Sequence, residues 1–210
     1  MKQRNQKLVT GLSAAMLLMG ANVALAETLN VPATVTVNNA INFTFTGTLD
    51  FGQVRANADV TTAECTGLQI PAGATAAALG TPAGTTAMYT AACTAVGTSA
   101  LQAVGGTPAR PVFTIAGVAP FTTLQLSLPS AAVNLTAATG PGTPQFQLVD
   151  FTGYKTSGTA GAVTTTIVVD GGGGATFNVG ATLITDPGTP TSTNYQDLAY
   201  SGSFAVSVTY

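Results

Sequence analysis

The run Thr164-Thr165-Thr166-Ile167-Val168-Val169 is broken by Asp170-Gly171-Gly172-Gly173-Gly174 and resumes as Ala175-Thr176-Phe177-Asn178-Val179-Gly180-Ala181-Thr182-Leu183. In the second half Phe177, Val179, Ala181 and Leu183 fall on alternate positions, the period of a pleated strand with one apolar face. The first half is Thr- and Val-rich, and branched Cβ atoms favour strands. Glycine accepts positive φ, so the break reads as a hairpin turn. The same habit recurs on both sides of this stretch. Ile41, Phe43 and Phe45 alternate with Asn42 and Thr44, and Leu124, Leu126 and Leu128 with Gln125 and Ser127. Phe146 and Leu148 continue it, and Phe204, Val206, Val208 and Tyr210 close the chain. Gly140-Pro141-Gly142 and Asp186-Pro187-Gly188 are further turns. Convincing helical periodicity is absent, apart from a short candidate over 74–79. Many short strands between Gly/Pro turns predict an all-β protein, an antiparallel β-sandwich or barrel.

Composition bounds the function. The chain has 210 residues, 46% of them hydrophobic and 7% charged, where soluble domains average about 25% charged. It contains no His and no Trp, which removes the commonest general base and metal ligand. Six basic residues cannot make a phosphate-tracking surface, so no nucleic-acid partner is expected.

The first segment reads as an address. Lys2, Arg4 and Lys7 precede a mostly apolar run from Leu8 to Val23, and Ala24-Leu25-Ala26 is a small-x-small cleavage site. Residues 1–26 are therefore expected to be a secretory signal peptide, and 27–210 a single secreted or cell-surface domain. Thr10, Gly11, Ser13, Gly20 and Asn22 interrupt the run, which argues against a retained membrane span. In an exported protein the two cysteines, Cys65 and Cys93, are expected to form one disulfide. A zinc or redox pair fits poorly, because the spacing is far from C-x-x-C and no His completes a site. Residues 61–110 are rich in Ala, Gly and Thr and read as an irregular excursion stapled by that bridge.

The inventory of reactive groups is thin, and no catalytic residue, metal ligand or cofactor is expected. Lys155 is the sole lysine beyond the signal segment. A Ser–Lys nucleophile there has no supporting motif, and a crosslink from Lys155 to an Asn would need a buried acidic neighbour. The plain expectation is a solvated lysine. Asp170 has no second carboxylate within ten residues on either side, so turn chemistry is a better reading than a calcium loop. The glycine run has neither a following helix nor the Lys-Ser/Thr of a phosphate cradle.

The two ends suggest assembly. Leu29, Val31, Ala33, Val35 and Val37 alternate with polar residues, and Pro32, which lacks a backbone donor, suits an edge or an added strand. The C-terminal run stops without a tail, which invites another strand to complete the sheet. Leu49-Asp50-Phe51-Gly52, then Phe177 to Leu183, then Tyr200-Ser201-Gly202-Ser203-Phe204-Ala205-Val206-Ser207-Val208-Thr209-Tyr210 resemble, in order, the markers of the bacterial secreted domain-of-unknown-function family numbered 4402. The terminal Tyr-x-Gly-x-Phe-x-Val-x-Val-x-Tyr is also similar to the closing strand of spore-coat-U-type subunits of archaic chaperone–usher pili. The 61–110 excursion departs from the first of these families.

The resemblance implies an immunoglobulin-like, pilin-like sandwich that self-associates or joins related subunits in a filament or coat, with a periplasmic chaperone and usher as partners. It further implies that Leu29, Val31, Ala33, Val35 and Val37, within 27–40, are the donor strand, and that Phe204, Val206 and Val208 line the accepting groove. Two alternatives stand beside this. Residues 29–37 could be the first strand of the chain's own sandwich, and the protein could be a monomeric adhesin or ligand-binding sandwich with its site in the loops, 61–110 among them.

Overall fold

The alternating runs become strands. The computed structural model describes residues 32–37, 40–73, 77–82 and 87–210. In chain order these hold β1 (Asn42–Thr46), β2 (Gln53–Asn57), β3 (Gly67–Ile70), α1 (Ala87–Ala92), β4 (Ala100–Gly105), β5 (Val112–Ala116) and β6 (Thr123–Ser127). Then follow β7 (Val133–Leu135), β8 (Phe146–Lys155), β9 (Gly161–Val163), β10 (Thr166–Val168), β11 (Ala175–Ile184) and β12 (Ser207–Thr209). The protein is all-β with antiparallel sheets, as expected. Residues Asn38–Tyr210 form one compact unit. Residues 32–37 precede it, lie in no strand, and expose Val35 and Val37. The expected signal peptide, Leu29 and Val31 lie outside the described residues.

The main sheet has seven strands, in the order β1-β5-β11-β8-β7, with β3 beside β11 and β9 beside β8. β11 is its spine. Its first half pairs with β5 and its second with β3, while β8 runs along its other edge. That position explains why nine of its ten residues are buried. Gly180 is needed there, because a Cβ would strike the carbonyl oxygen of Ile70 and the backbone of Ala72. Facing the main sheet is a three-stranded sheet, β10-β6-β12, and a two-stranded ribbon, β2-β4, lies apart from both sheets in hydrogen bonding.

Two cores follow. Phe113, Ile115, Phe177 and Val179 pack with Leu124, Leu126, Ile167 and Val169. Phe51, Ile70, Phe146, Leu148 and Leu183 form the second core, covered by Val54, Ala56 and Leu101 of the ribbon. Burying each large side chain contributes roughly 1.5–3 kcal/mol.

Three expectations are corrected. The Asp170–Gly174 turn does not join a hairpin: β10 pairs with β6 and β11 with strands of the main sheet, so the chain changes sheets at the glycines. Turn chemistry fixes the reversal, but the facing apolar sets decide which neighbour each strand takes. The short helix forms at Ala87–Ala92, while residues 77–79 are not helical. At six residues α1 is too short to stand on propensity. The Asp150 carboxylate accepts its Met88 and Tyr89 N–H groups at 2.8 and 2.6 Å, and the Cys65–Cys93 disulfide ties down its C-terminal end. The third correction concerns Lys155, taken up below.

The excursion over 61–110 contains β3, α1 and β4 and is organised by one carboxylate. Buried Asp59 accepts the N–H and hydroxyl of Thr61, the N–H of Thr62, and the N–H and hydroxyl of Thr98, at 2.8 to 3.1 Å. The N–H groups of Thr98, Thr62 and Thr61 hold its carboxyl far below the usual range.

Candidate functional site

One row of inward-facing side chains crosses the main sheet and organises both of its flanks. Its members, paired neighbour to neighbour, are Phe45 on β1, Phe113 on β5, Phe177 on β11, Lys155 on β8 and Gly161 on β9. The rings of Phe113 and Phe177 stack with centroids 5.2 Å apart, and Phe43 stacks on both. Exposure along the row is 66% at Phe45, 7% at Phe113, 0% at Phe177 and 8% at Lys155. The facing sheet has three strands against these five columns, and on the β1 side Ile41 and Phe43 still pack against the first core while Phe45 stands exposed.

Lys155 is buried by a β-bulge. Along β8, Phe146 and Leu148 face the core, but Val149 pairs with Thr182 while Thr152 pairs with Gly180, so an extra residue lies between. Asp150, at φ 50°, sits in this bulge. The bulge switches the inward set from even to odd positions. Gly153 and Lys155 thereby face inward, and Asp150 turns to cap α1. The solvated lysine expected from the sequence is thus wrong, for a reason that parity counting from Phe146 misses. A buried ammonium is expensive unless paired. Lys155 Nζ donates to Asp170 Oδ1 and to the Val168 carbonyl, both at 2.6 Å. The bonds from Lys155 and then Ser157 hold the Asp170 carboxyl below its ordinary range, with partial burial opposing them.

The bond from Lys155 to the Val168 carbonyl obstructs a sheet edge. Val169 N–H donates to the Thr122 carbonyl and Leu126 N–H to that of Thr165. The odd residues of this segment therefore bond to β6, and the even ones face the free edge. The carbonyl of Val168 points away from β6, where an added strand would dock, and the ammonium occupies it. Beside this pair, between β9 and β10, lies a cleft of about 630 Å³ with Phe121 at its rim.

The opposite flank is not obstructed in this way. Among the described residues β1 pairs only with β5, and β12 only with β6. Phe204, Val206 and Val208, the expected groove residues, are half-buried and pack against the first core. Phe204 lies 4.9 Å from Phe151 ring to ring, over β8 and away from the free edge. The sequence reading missed Phe45, which the pattern in β1 offered only as another core position. Of the expected donor residues, Ala33, Val35 and Val37 are outside any strand.

No family model, no curated protein and no solved structure matches the chain.

Proposed function

We propose that this chain is an exported structural subunit of a bacterial surface filament, pilus or coat, an immunoglobulin-like sandwich that assembles by strand addition. The observation that carries the reading is Phe45: an inward-facing phenylalanine left 66% exposed on the edge strand β1. A strand added beside β12 would lie over it. The alternating segment Leu29, Val31, Ala33, Val35 and Val37 of a second copy has the chemistry to fill that place, with backbone bonds giving affinity and alternate side chains filling the groove. Val206 and Val208 would form its floor. An open apolar edge is an aggregation hazard, so a periplasmic chaperone and an usher are the partners this reading calls for.

Deleting residues 27–40 while keeping the export segment tests it. Size exclusion with light scattering on the exported protein is expected to show polymers for the full chain and monomers for the deletion. A full chain that stays monomeric, or a deletion variant that still polymerises, refutes the reading.

A further inference from the structure

The cleft between β9 and β10 is a candidate binding site, independent of any assembly on the other flank. We propose that it binds a neutral saccharide, one sugar ring lying against Phe121 while its hydroxyl groups meet Lys155 and Asp170.

The space itself is a product of sequence. Gly161 ends the inward-facing row, and a Cβ built on it would meet nothing within 4 Å. Gly158, Ala160 and Ala162 keep the neighbouring wall small. The resulting volume of about 630 Å³ is in the range of small-molecule sites.

Phe121 marks the entrance. Its φ is 58°, in the left-handed region, where a bulky side chain is an outlier. It is also 73% exposed. The ring rests over Gly171, whose added Cβ would come within 3.1 Å of Phe121 Cζ. Its N–H is aimed at the Asp170 carbonyl, 3.4 Å away. Backbone strain and an unburied aromatic ring thus coincide at the mouth of the cleft, an arrangement that packing alone does not reward.

The polar groups select the ligand. Lys155 makes two hydrogen bonds and has three donors, so one N–H is left for an occupant. The Asp170 carboxylate offers about four acceptor sites, of which Lys155 and Ser157 use two. Thr159 and Thr166 add hydroxyls. The ammonium and the carboxylate neutralise each other, so the cleft attracts neither anion nor cation. Donor, acceptor and aromatic face together, with no net charge, suit a molecule with hydroxyl edges and a C–H face. An added β-strand fits less well, since Lys155 already holds the β10 carbonyl it would need.

The test titrates the purified protein with neutral cello-, malto-, galacto- and chito-oligosaccharides, read by saturation-transfer NMR. At least one series is expected to bind saturably. Gly161→Leu, whose Cβ has open space, and Phe121→Ala should each weaken binding about tenfold or more. Val104→Thr, on exposed β4, should not. Absence of saturable binding by every series overturns the proposal, as does binding that survives Gly161→Leu. Displacement of the sugar by a synthetic peptide of residues 29–37, itself blocked by Gly161→Leu, would assign the cleft to a strand and also overturn it.

Discussion

Replacing Phe45 by Ser separates monomer stability from assembly. The ring sits on the inward face of the edge strand β1, 66% exposed and 5.8 Å from Phe113. A phenylalanine presents roughly 200 Å², so roughly 130 Å² remains in water. Covering that area at about 25 cal/mol per Å² gives about 3 kcal/mol, and scaling the usual value for full burial gives about 2. A neighbour that covers the ring therefore loses about 2–3 kcal/mol on substitution, an association weaker by roughly 30- to 150-fold. The isolated subunit loses the roughly 70 Å² that the ring already buries, chiefly against Phe113, about 1–2 kcal/mol. Concentration-dependent light scattering reads the first quantity and urea unfolding of the dissociated subunit the second. Phe121→Ser, equally exposed but on the other flank, should leave assembly unchanged. If Phe45→Ser assembles like the parent protein, or costs the subunit as much as the assembly, β1 is not the covered surface.

Acid should destabilise the fold through two carboxylates. Asp59 and Asp170 are both held below the ordinary range, so their contribution is complete above about pH 4–5 and is lost as pH falls through their folded values. Tm should be flat from pH 7 to 5 and drop below about 4, with a shallower drop in Asp59→Asn; a Tm unchanged down to pH 2 would contradict the hydrogen-bond assignments. Reducing the Cys65–Cys93 bridge, which spans 28 residues, should cost about 3–4 kcal/mol. Urea unfolding with and without reductant measures this, and a difference under about 1 kcal/mol would show that Asp59 alone holds the excursion.

Strand identity was legible because the apolar sets at 43–45, 124–126 and 177–183 repeat with period two between glycine or proline breaks. Pairing was not legible. The Asp170–Gly174 turn looks identical whether it links two paired strands or carries the chain between sheets, since the difference lies in β5, β6 and β8, distant in sequence. Nor was the site legible, because both of its determinants are breaks in pattern. The bulge at Asp150 reverses parity within β8, and nothing local in Phe146–Lys155 announces it. The exposure of Phe45 depends on what faces it across the sheets, a relation that exists only after they assemble.

The two edges of the three-stranded sheet, β10 and β12, differ in a feature that governs strand addition. Edge strands are commonly protected by charge, by proline or by a bulge. At β10 the chain places Lys155, its only lysine beyond Lys7, with the ammonium on the outward carbonyl of Val168. β1, Asn42-Phe43-Thr44-Phe45-Thr46, and β12, Ser207-Val208-Thr209, contain neither charge nor proline. In a sequence so poor in charge, a guarded edge at β10 and a bare one at β12 give a proposed assembly through the three-stranded sheet a direction. A second copy's strand has an open place beside β12 and an obstructed one beside β10. Lys155→Met retains most of the buried volume and removes the guard. In the strand-addition reading it should let subunits associate through β10 as well, seen as branched or amorphous aggregates by electron microscopy, whereas unbranched polymers like those of the parent protein would show that Lys155 does not control the edge.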